Sequence, residues 1–398
     1  MDRRKFMKTT TCLFPLISYQ PLLEQLLGDD RKISRHPSSR KRIRELGIKI
    51  GTLETGPYNA ITDVEGVKVG HATNIKGSGP RAVRTGVTVI IPHSGDVFEE
   101  NLYASYFNLN GWGEMTGMAS LESSGKLKTP VFLTGTYNVG IVYDAALKYL
   151  IKKNPQMKKN HETATPVVAE CFDDFLSDTR SRQISEQDVF TAIQKASGGR
   201  VEEGVVGGGT GMSAFGFKAG IGTSSRIVLD RYTVGVLVMA NTGSRHQLRI
   251  NGFPVGREIK GFRYKRGEAK SIILIAATDA PFLPFQLKKM AKRVAVGLAQ
   301  TGSISSTGSG DIILAFSTAN KIPRNSFRTF QKIRAIDDFR ITPFYQAAVE
   351  ATQEAIINSL TCAHTVVGRD HNTAYGIPLD QVGQIMNKYS NTGMKKNE

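Results

Sequence analysis

Short apolar runs alternate with amphipathic stretches along most of this 398-residue chain. The apolar runs are rich in small residues and predict strands that are covered on both faces. These predicted strands are Val67–Gly70, Thr85–Ile91, Pro130–Leu133, Thr165–Glu170, Ser213–Gly220, Tyr232–Ala240, Ser271–Ala277 and Asp311–Ser317. Helical periodicity and capping signals predict helices at Asn138–Lys152, after Ser185, at Pro284–Gln300 and at Phe344–Leu360. The pattern therefore predicts one α/β domain with sheets inside and helices outside.

Ser271 stands where a basic, polar segment enters one of these strands. The segment Tyr264–Lys270 carries three lysines or arginines and a glutamate, whereas Ile272–Ala277 is wholly apolar. If the chain were cut before Ser271, that residue would carry a hydroxyl and a free α-amine with a reference pKa of about 7.7–8.0. One residue could then supply both the nucleophile and the general base, which is the logic of N-terminal-nucleophile hydrolases.

Composition narrows the function classes. The formal charge of +17 is concentrated near the start, because residues 1–50 hold twelve Lys or Arg against five Asp or Glu. No basic cluster is interleaved with aromatic residues, so we expect no nucleic-acid partner. The three cysteines lack CxxC spacing and the seven histidines lack an HExxH motif, so we expect neither a metal nor a cofactor. No apolar run reaches eighteen residues, so we expect no membrane span.

The N-terminal residues predict export. Arg3 and Arg4, followed by Phe6-Met7-Lys8 and a short, weakly apolar segment, match a twin-arginine signal within residues 1–30. This signal predicts a periplasmic or exported protein, and without it the protein would be cytoplasmic. Residues 31–50 are predicted to be a basic linker or arm, and residues 51–398 a single catalytic domain.

Several long motifs resemble one enzyme family. Ser271–Pro281, Gly308–Thr318, Tyr58–His71 and Lys218–Arg226 are similar to segments of the DmpA-type aminopeptidases, which include L-aminopeptidase/D-amidases and β-peptidyl aminopeptidases. The resemblance extends from about Gly51 to Pro378. It implies a four-layer αββα sandwich, a homo-oligomer of processed two-chain units, and a small peptide or amide as substrate.

The same resemblance implies that the chain cuts itself between Lys270 and Ser271. The products would be residues 51–270 and residues 271–398. The acyl shift requires the serine hydroxyl to press against the preceding carbonyl, so we expect a strained backbone at Ser271. Lys270 departs from the family pattern, in which a small residue precedes the serine, and this bears on the rate of cleavage.

The resemblance also assigns partners to the nucleophile. In Thr307-Gly-Ser-Gly-Asp311, it implies that Ser309 bonds the amine or hydroxyl of Ser271 and that Asp311 fixes the protonation of the site. Asn241 ends a predicted strand, where a side-chain amide can donate to a developing oxyanion.

Substrate recognition is predicted to involve carboxylates and aromatic residues. Glu170 ends a predicted strand and could pair with the α-ammonium by which an aminopeptidase recognises an N-terminus. Glu114 is the weaker candidate for that contact. Tyr137 and Phe172 are predicted to line the pocket.

Three functions remain open at this level. The leading one is a self-processing serine aminopeptidase that acts on small peptides, amides or esters, including β-peptides or D-residue amides, through an acyl-enzyme on Ser271. An acyl transferase similar to the ornithine acetyltransferases is the second, although those enzymes use threonine as the nucleophile. The third is an uncleaved, non-catalytic relative.

The glycines of Gly204–Gly211 are expected to permit close backbone approaches, and Asp370–Asn372 is expected to be a surface turn.

Overall fold

The computed structural model describes residues 40–158, 163–262, 271–324 and 330–394. The predicted export signal and Lys270 lie outside the described residues. The strands are β1 (Lys68–Lys76), β2 (Val83–Ile91), β3 (Glu100–Gly111), β4 (Lys126–Leu127), β5 (Val131–Gly135), β6 (Val167–Cys171), β7 (Ser213–Ala214), β8 (Phe217–Lys218), β9 (Ile221–Val228), β10 (Tyr232–Ala240), β11 (Ile272–Thr278), β12 (Gly310–Pro323), β13 (Val366–Val367) and β14 (Thr373–Ala374). The helices are α1 (Met118–Ser124), α2 (Val139–Lys153), α3 (Glu186–Gln194), α4 (Val255–Glu258), α5 (Pro284–Gln300), α6 (Thr342–Thr361) and α7 (Leu379–Met394).

Two mixed sheets form the centre of the domain. The first has the order β1-β2-β5-β6, in which only β5 and β6 run parallel. The second has the order β4-β3-β12-β11-β10-β9, in which only β11 and β12 run parallel. Because neighbouring parallel strands begin and end at the same edges, each parallel pair brings distant parts of the chain together at its ends.

Three apolar layers hold the sheets and helices together. Successive residues of a strand point to opposite faces, and β11 shows this directly. Ile273 and Ile275 belong to the core between the two sheets. Ile272 and Leu274 belong to the core that the second sheet forms with α5 and α6. The outer face of the first sheet packs against α2 and α3, so the architecture is the predicted four-layer αββα sandwich.

The helical predictions agree with the structure. Helices α2, α5 and α6 lie within a residue or two of the predicted bounds. Ser185 caps α3 through a capping box, in which the Ser185 N–H donates to Asp188 Oδ2 at 2.8 Å. None of the helices in the described part of the chain is both long enough and apolar enough to cross a membrane.

The predicted strand Ser213–Gly220 is wrong. This segment forms the two short strands β7 and β8, joined by Phe215 and Gly216, both of which have positive φ. A two-residue turn with positive φ at both positions closes a tight hairpin, so the apolar run folds back on itself.

Two long strands were missed because their sequences are polar. β9 contains Thr223, Ser224, Ser225 and Arg226, all of which are buried. Arg226 donates to Glu354 Oε2 at 2.7 Å and also pairs with a second glutamate of α6, so hydrogen bonds and ion pairs compensate for burial. β3 is likewise interrupted by polar residues and lacks a continuous apolar run.

The described part of the basic arm packs onto the domain. Ile43 and Ile50 are buried in the core beside α6. Arg42 pairs with Glu203, and Arg44 pairs with Glu354 at 2.7 Å. Residues 40–50 are therefore anchored by both apolar contacts and ion pairs.

Candidate active site

Ser271 immediately precedes β11, in the middle of the six-stranded sheet. Its φ of 126° is rare for a residue with a side chain, and such a conformation costs about 1–3 kcal/mol. The strain expected at this residue is therefore present in its backbone. Ser271 is only 5% exposed, and its carbonyl accepts a hydrogen bond from the Asn241 N–H at 3.1 Å.

The parallel pairing of β11 with β12 brings the Gly-Ser-Gly-Asp motif to Ser271. Ile272 lies opposite Asp311 in this pairing. The Gly310 N–H donates to Ser271 Oγ at 3.2 Å. Gly308 has a φ of 82°, which allows the chain to turn just before the strand. The two halves of the predicted site, 38 residues apart in sequence, are thus direct neighbours.

Ser309 and Asp311 form a buried pair beside the nucleophile. The Ser309 hydroxyl donates to Asp311 Oδ1 at 2.7 Å. Burial raises the pKa of Asp311, while hydrogen bonds from the hydroxyls of Ser309 and Ser305 and from the Ile272 amide oppose the shift. Because the Ser309 proton points to the carboxylate, the lone pairs of its oxygen remain able to accept a proton donor.

Asn241 follows β10 and is fully buried. Its Oδ1 accepts a hydrogen bond from the Ser213 N–H at 3.1 Å, and its Nδ2 donates to the Phe172 carbonyl at 3.0 Å. Contacts on both ends fix the plane of the amide. The structure therefore places this side chain in one orientation next to Ser271.

Glu170 lies near the end of β6 and is 5% exposed. Its Oε1 accepts from the Glu114 N–H at 3.0 Å, and its Oε2 accepts from the Thr136 hydroxyl. Burial raises its pKa, which these two hydrogen bonds partly counteract. No lysine or arginine among the described residues forms an ion pair with Glu170. A buried carboxylate without a cation is costly, which is characteristic of a binding site for a positively charged group.

A single glycine, Gly113, separates Glu170 from Gly310, whose N–H donates to Ser271 Oγ. A Cβ added to Gly113 would lie 3.0 Å from Gly310 Cα and 3.3 Å from Glu170 Oε1. Glu114 donates its backbone N–H to Glu170, but the residue is exposed to solvent. The geometry thus brings Glu170, rather than the side chain of Glu114, into the enclosed part of the site.

Tyr137 and Phe172 lie at the mouth of this site. Their rings meet edge to face with centroids 5.7 Å apart. Tyr137 is 50% exposed, and Phe172 is half-buried. Tyr137 follows Thr136, the donor to Glu170, and the Phe172 carbonyl accepts from Asn241 Nδ2, so both aromatic residues adjoin the polar groups of the site.

Sequence reasoning missed two groups that the structure places in the site. One is Thr136, which follows β5; because β5 and the Glu170 strand become neighbours only in the folded sheet, no local pattern marks this hydroxyl. The other is the Gly310 N–H, which is a backbone group and leaves no trace in a residue pattern.

The glycine-rich segment Gly204–Gly211 and the turn Asp370–Asn372 have the structures that the sequence predicted. A Cβ on Gly208 would lie 2.7 Å from the Leu133 carbonyl oxygen, so this glycine permits a close backbone approach. Asp370 and His371 have φ of 54° and 61° in an exposed turn.

Residues 59–374 match Peptidase family S58. The beta-peptidyl aminopeptidase BapA of Sphingosinicella xenopeptidilytica is 41% identical over 368 residues, which cover 87% of this chain and 90% of that protein. The solved L-aminopeptidase D-Ala-esterase/amidase of Ochrobactrum anthropi has a TM-score of 0.82 at 36% identity and covers 88% of this chain and 99% of its own. A Burkholderia sp. beta-aminopeptidase has a TM-score of 0.81 at 37% identity, with coverage of 87% and 99%.

The structural match to the Ochrobactrum enzyme identifies this sandwich of two mixed sheets as the DmpA-type variant of the N-terminal-nucleophile hydrolase fold. Hydrolases of this class cut amide bonds, and the match over most of the chain makes this protein one of them. The chain belongs to peptidase family S58, and it is a serine aminopeptidase of the N-terminal-nucleophile type.

Proposed function

We propose that this aminopeptidase removes the N-terminal residue from small peptides, amides or esters with Ser271 as the nucleophile. The buried carboxylate of Glu170 carries this proposal, because it lacks a cation among the described residues and only Gly113 separates it from Gly310, the neighbour of Ser271 Oγ. An ammonium group bound there would place the first carbonyl of a peptide near Ser271 Oγ. The enzyme would thereby select substrates with a free N-terminus.

The proposed reaction uses the two functional groups of a free N-terminal Ser271. The α-amine takes the proton from Oγ, and Oγ attacks the substrate carbonyl carbon. The Ser309 hydroxyl donates its hydrogen bond to Asp311, so its oxygen is able to accept a hydrogen bond from the resulting ammonium. The Asn241 amide stabilises the oxyanion.

Collapse of the tetrahedral intermediate breaks the scissile C–N bond. The α-ammonium of Ser271 gives its proton to the departing amine, and an ester to Ser271 Oγ remains. A water molecule then attacks the ester after giving a proton to the same α-amine. The α-ammonium then returns this proton to Ser271 Oγ as the C–Oγ bond breaks, so the amino acid leaves with its new carboxylate and the serine hydroxyl is regenerated.

The relatives support a preference for β-amino acid residues. Two proteins named beta-peptidyl aminopeptidase are each 41% identical to this chain, and a solved beta-aminopeptidase is 37% identical. We therefore propose β-peptides among the substrates, with D-residue amides as the alternative suggested by the Ochrobactrum enzyme. The half-exposed Tyr137 and its neighbour Phe172 would contact the first side chain.

We further propose that the chain matures by cutting itself between Lys270 and Ser271. The strained backbone of Ser271 supports this step, because cleavage would relieve the strain. Residues 51–270 and 271–398 would remain together as one unit. We also keep two proposals from the sequence: export through the twin-arginine segment, and assembly into a homo-oligomer.

The experiment compares hydrolysis of a p-nitroanilide of a β-amino acid with that of its N-acetylated form. The wild type should release p-nitroaniline from the free amine about a hundredfold faster, because a buried carboxylate left without its partner costs about 3 kcal/mol or more, and Ser271→Ala should release none from either. Equal rates on both substrates would remove the N-terminal recognition that we propose. Transfer of acetyl from N-acetylornithine to glutamate, in the absence of hydrolysis, would instead support the acyl transferase.

A further inference from the structure

Lys218 is fully buried beside the glycine-rich segment that leads to Ser213. Its Nζ donates to three backbone carbonyls: that of Met212 at 2.7 Å, that of Gly209 at 3.2 Å, and that of Ala219. No carboxylate among the described residues pairs with it. Within the described residues, Lys218 Nζ is therefore held by backbone carbonyls alone.

Burial of a lysine side chain away from water is unfavourable in free energy. Burial lowers the pKa of Lys218 because it disfavours the charged form. Against this, three carbonyl acceptors match the three N–H donors of an ammonium group, whereas a neutral amine has only two. An apolar side chain would fill the space without this cost, so the fold retains a charge that packing does not require.

One of the three hydrogen bonds, that to the Met212 carbonyl, leads to Asn241. The Met212 carbonyl and the Ser213 N–H belong to the same peptide unit. Lys218 Nζ donates to the Met212 carbonyl at one end of this unit. At the other end, the Ser213 N–H donates to Asn241 Oδ1 at 3.1 Å. Lys218 and Ser213 are also cross-strand partners in the β7–β8 hairpin.

A cation at one end of such a chain strengthens the next donor. Withdrawal of charge through the carbonyl makes the Ser213 N–H more acidic, which in turn polarises the Asn241 amide. The Nδ2–H that points away from the Phe172 carbonyl then becomes a better donor to a developing negative charge. The same contacts fix the amide plane, so position and polarity are set together.

We propose that Lys218 is a positioning residue that orients and polarises Asn241 through the Met212–Ser213 peptide unit. This inference rests on the proposed role of Asn241 as the oxyanion donor. Because an oxyanion exists only in the transition state and intermediates, the effect should fall on kcat and leave KM unchanged.

The test is a double-mutant cycle with Lys218→Met and Asn241→Ala, assayed on a β-amino acid p-nitroanilide. Turnover is expressed per chain that begins at Ser271, counted by intact mass. We expect Lys218→Met to lower kcat about tenfold with KM unchanged, and Asn241→Ala to lower kcat about 10²–10³-fold. In the Asn241→Ala background, Lys218→Met should cause no further loss.

The matched control is Arg40→Met. Arg40 is another cation, partly buried, that donates to backbone carbonyls, those of Leu360 and Ile377, and its hydrogen bonds within the described residues do not involve Asn241. We expect it to lower the melting temperature without lowering kcat. Lys218→Gln is the second variant if methionine prevents folding: it keeps a donor but removes the charge, and it should still lower kcat several-fold.

The possible failures are distinguishable. An Asn241→Ala variant with wild-type kcat would overturn the oxyanion role itself. A normal loss in Asn241→Ala, combined with wild-type kcat in the folded Lys218 variant, would overturn only the role of Lys218. The role of Lys218 is also overturned if Lys218→Met lowers kcat by the same factor in the Asn241→Ala background as in the wild type. Lys218 would then act on stability or on another part of the site.

Discussion

Replacing Glu170 with glutamine tests the proposed ammonium site most sharply. Glutamine has the same length, and its Oε1 can still accept the Glu114 N–H that glutamate holds at 3.0 Å. The substitution removes the negative charge and converts a charge-assisted hydrogen bond to the substrate into a neutral one. A hydrogen bond to a charged group contributes about 1.5–3 kcal/mol, against about 1 kcal/mol for a neutral one.

The expected effect is therefore a loss of about 0.5–2 kcal/mol, or roughly 2- to 30-fold in kcat/KM. Most of it should appear as a higher KM, because the contact exists in both the bound ground state and the transition state. A substrate analogue without the amino group should bind both variants equally. The free-amine substrate should lose part of its advantage in Glu170→Gln.

The pH dependence adds a second signature. Burial raises the pKa of Glu170, so its carboxylate is protonated at a higher pH than that of an exposed glutamate. Since the ammonium requires the ionised carboxylate, the substrate affinity 1/KM of the wild type should fall as the pH is lowered through this raised pKa. In Glu170→Gln that fall should be absent, although the Ser271 amine still titrates in kcat.

Steady-state kinetics from about pH 5 to 9 measure both effects, with Glu114→Gln as the matched control. Residue Glu114 is exposed, and only its backbone contacts Glu170. We expect the control to keep the wild-type KM near neutral pH, and the fall of 1/KM to begin at a slightly lower pH, because the charge of Glu114 also raises the pKa of Glu170. A large increase of KM in Glu114→Gln, with little change in Glu170→Gln, would refute the assignment of the ammonium site.

Three further substitutions test other contacts. Thr136→Val removes the hydroxyl donor that lowers the pKa of Glu170, so the fall of 1/KM on acidification should begin at a higher pH; an unchanged pH dependence would make this bond dispensable. Ser309→Ala removes the acceptor for the Ser271 amine and should lower kcat about 10²–10⁴-fold, whereas wild-type turnover would exclude it from proton transfer. Asp173→Asn should flatten the stability–pH curve, measured by urea unfolding.

The sign of the Asp173 effect follows from linkage. Burial raises the pKa of Asp173 to about 6 from its ordinary 3.8, while Thr85 partly opposes the shift. The folded protein therefore holds this proton more tightly than the unfolded chain. Stability should decrease as the pH rises between these values, by at most about 3 kcal/mol, and Asn should abolish that decrease. An identical pH dependence in the variant would contradict the burial argument.

Periodicity predicted those parts of the fold in which burial and apolarity coincide. β10, β11 and helices α5 and α6 are of this kind, and their bounds could be read from the sequence. β9 could not, because its buried Thr, Ser and Arg side chains are compensated by partners far away in sequence, such as Glu354. Long-range compensation leaves no local pattern.

The site shows the same division. Side chains at strand ends, such as Asn241 and Glu170, could be proposed because a strand end is visible in sequence. The Gly310 N–H, the Thr136 hydroxyl and the Lys218 ammonium depend on which strands are neighbours and on how a hairpin turns. That information belongs to the topology of the sheets, which a local pattern does not contain.

Intact mass and N-terminal sequencing of the purified protein test the central claim most directly, alongside Ser271→Ala. We expect two fragments from the wild type, the smaller beginning at Ser271, and one uncut chain without activity from the variant. A fully active wild-type protein that remains a single chain would contradict the proposed mechanism, because Ser271 would then have no α-amine to accept the proton.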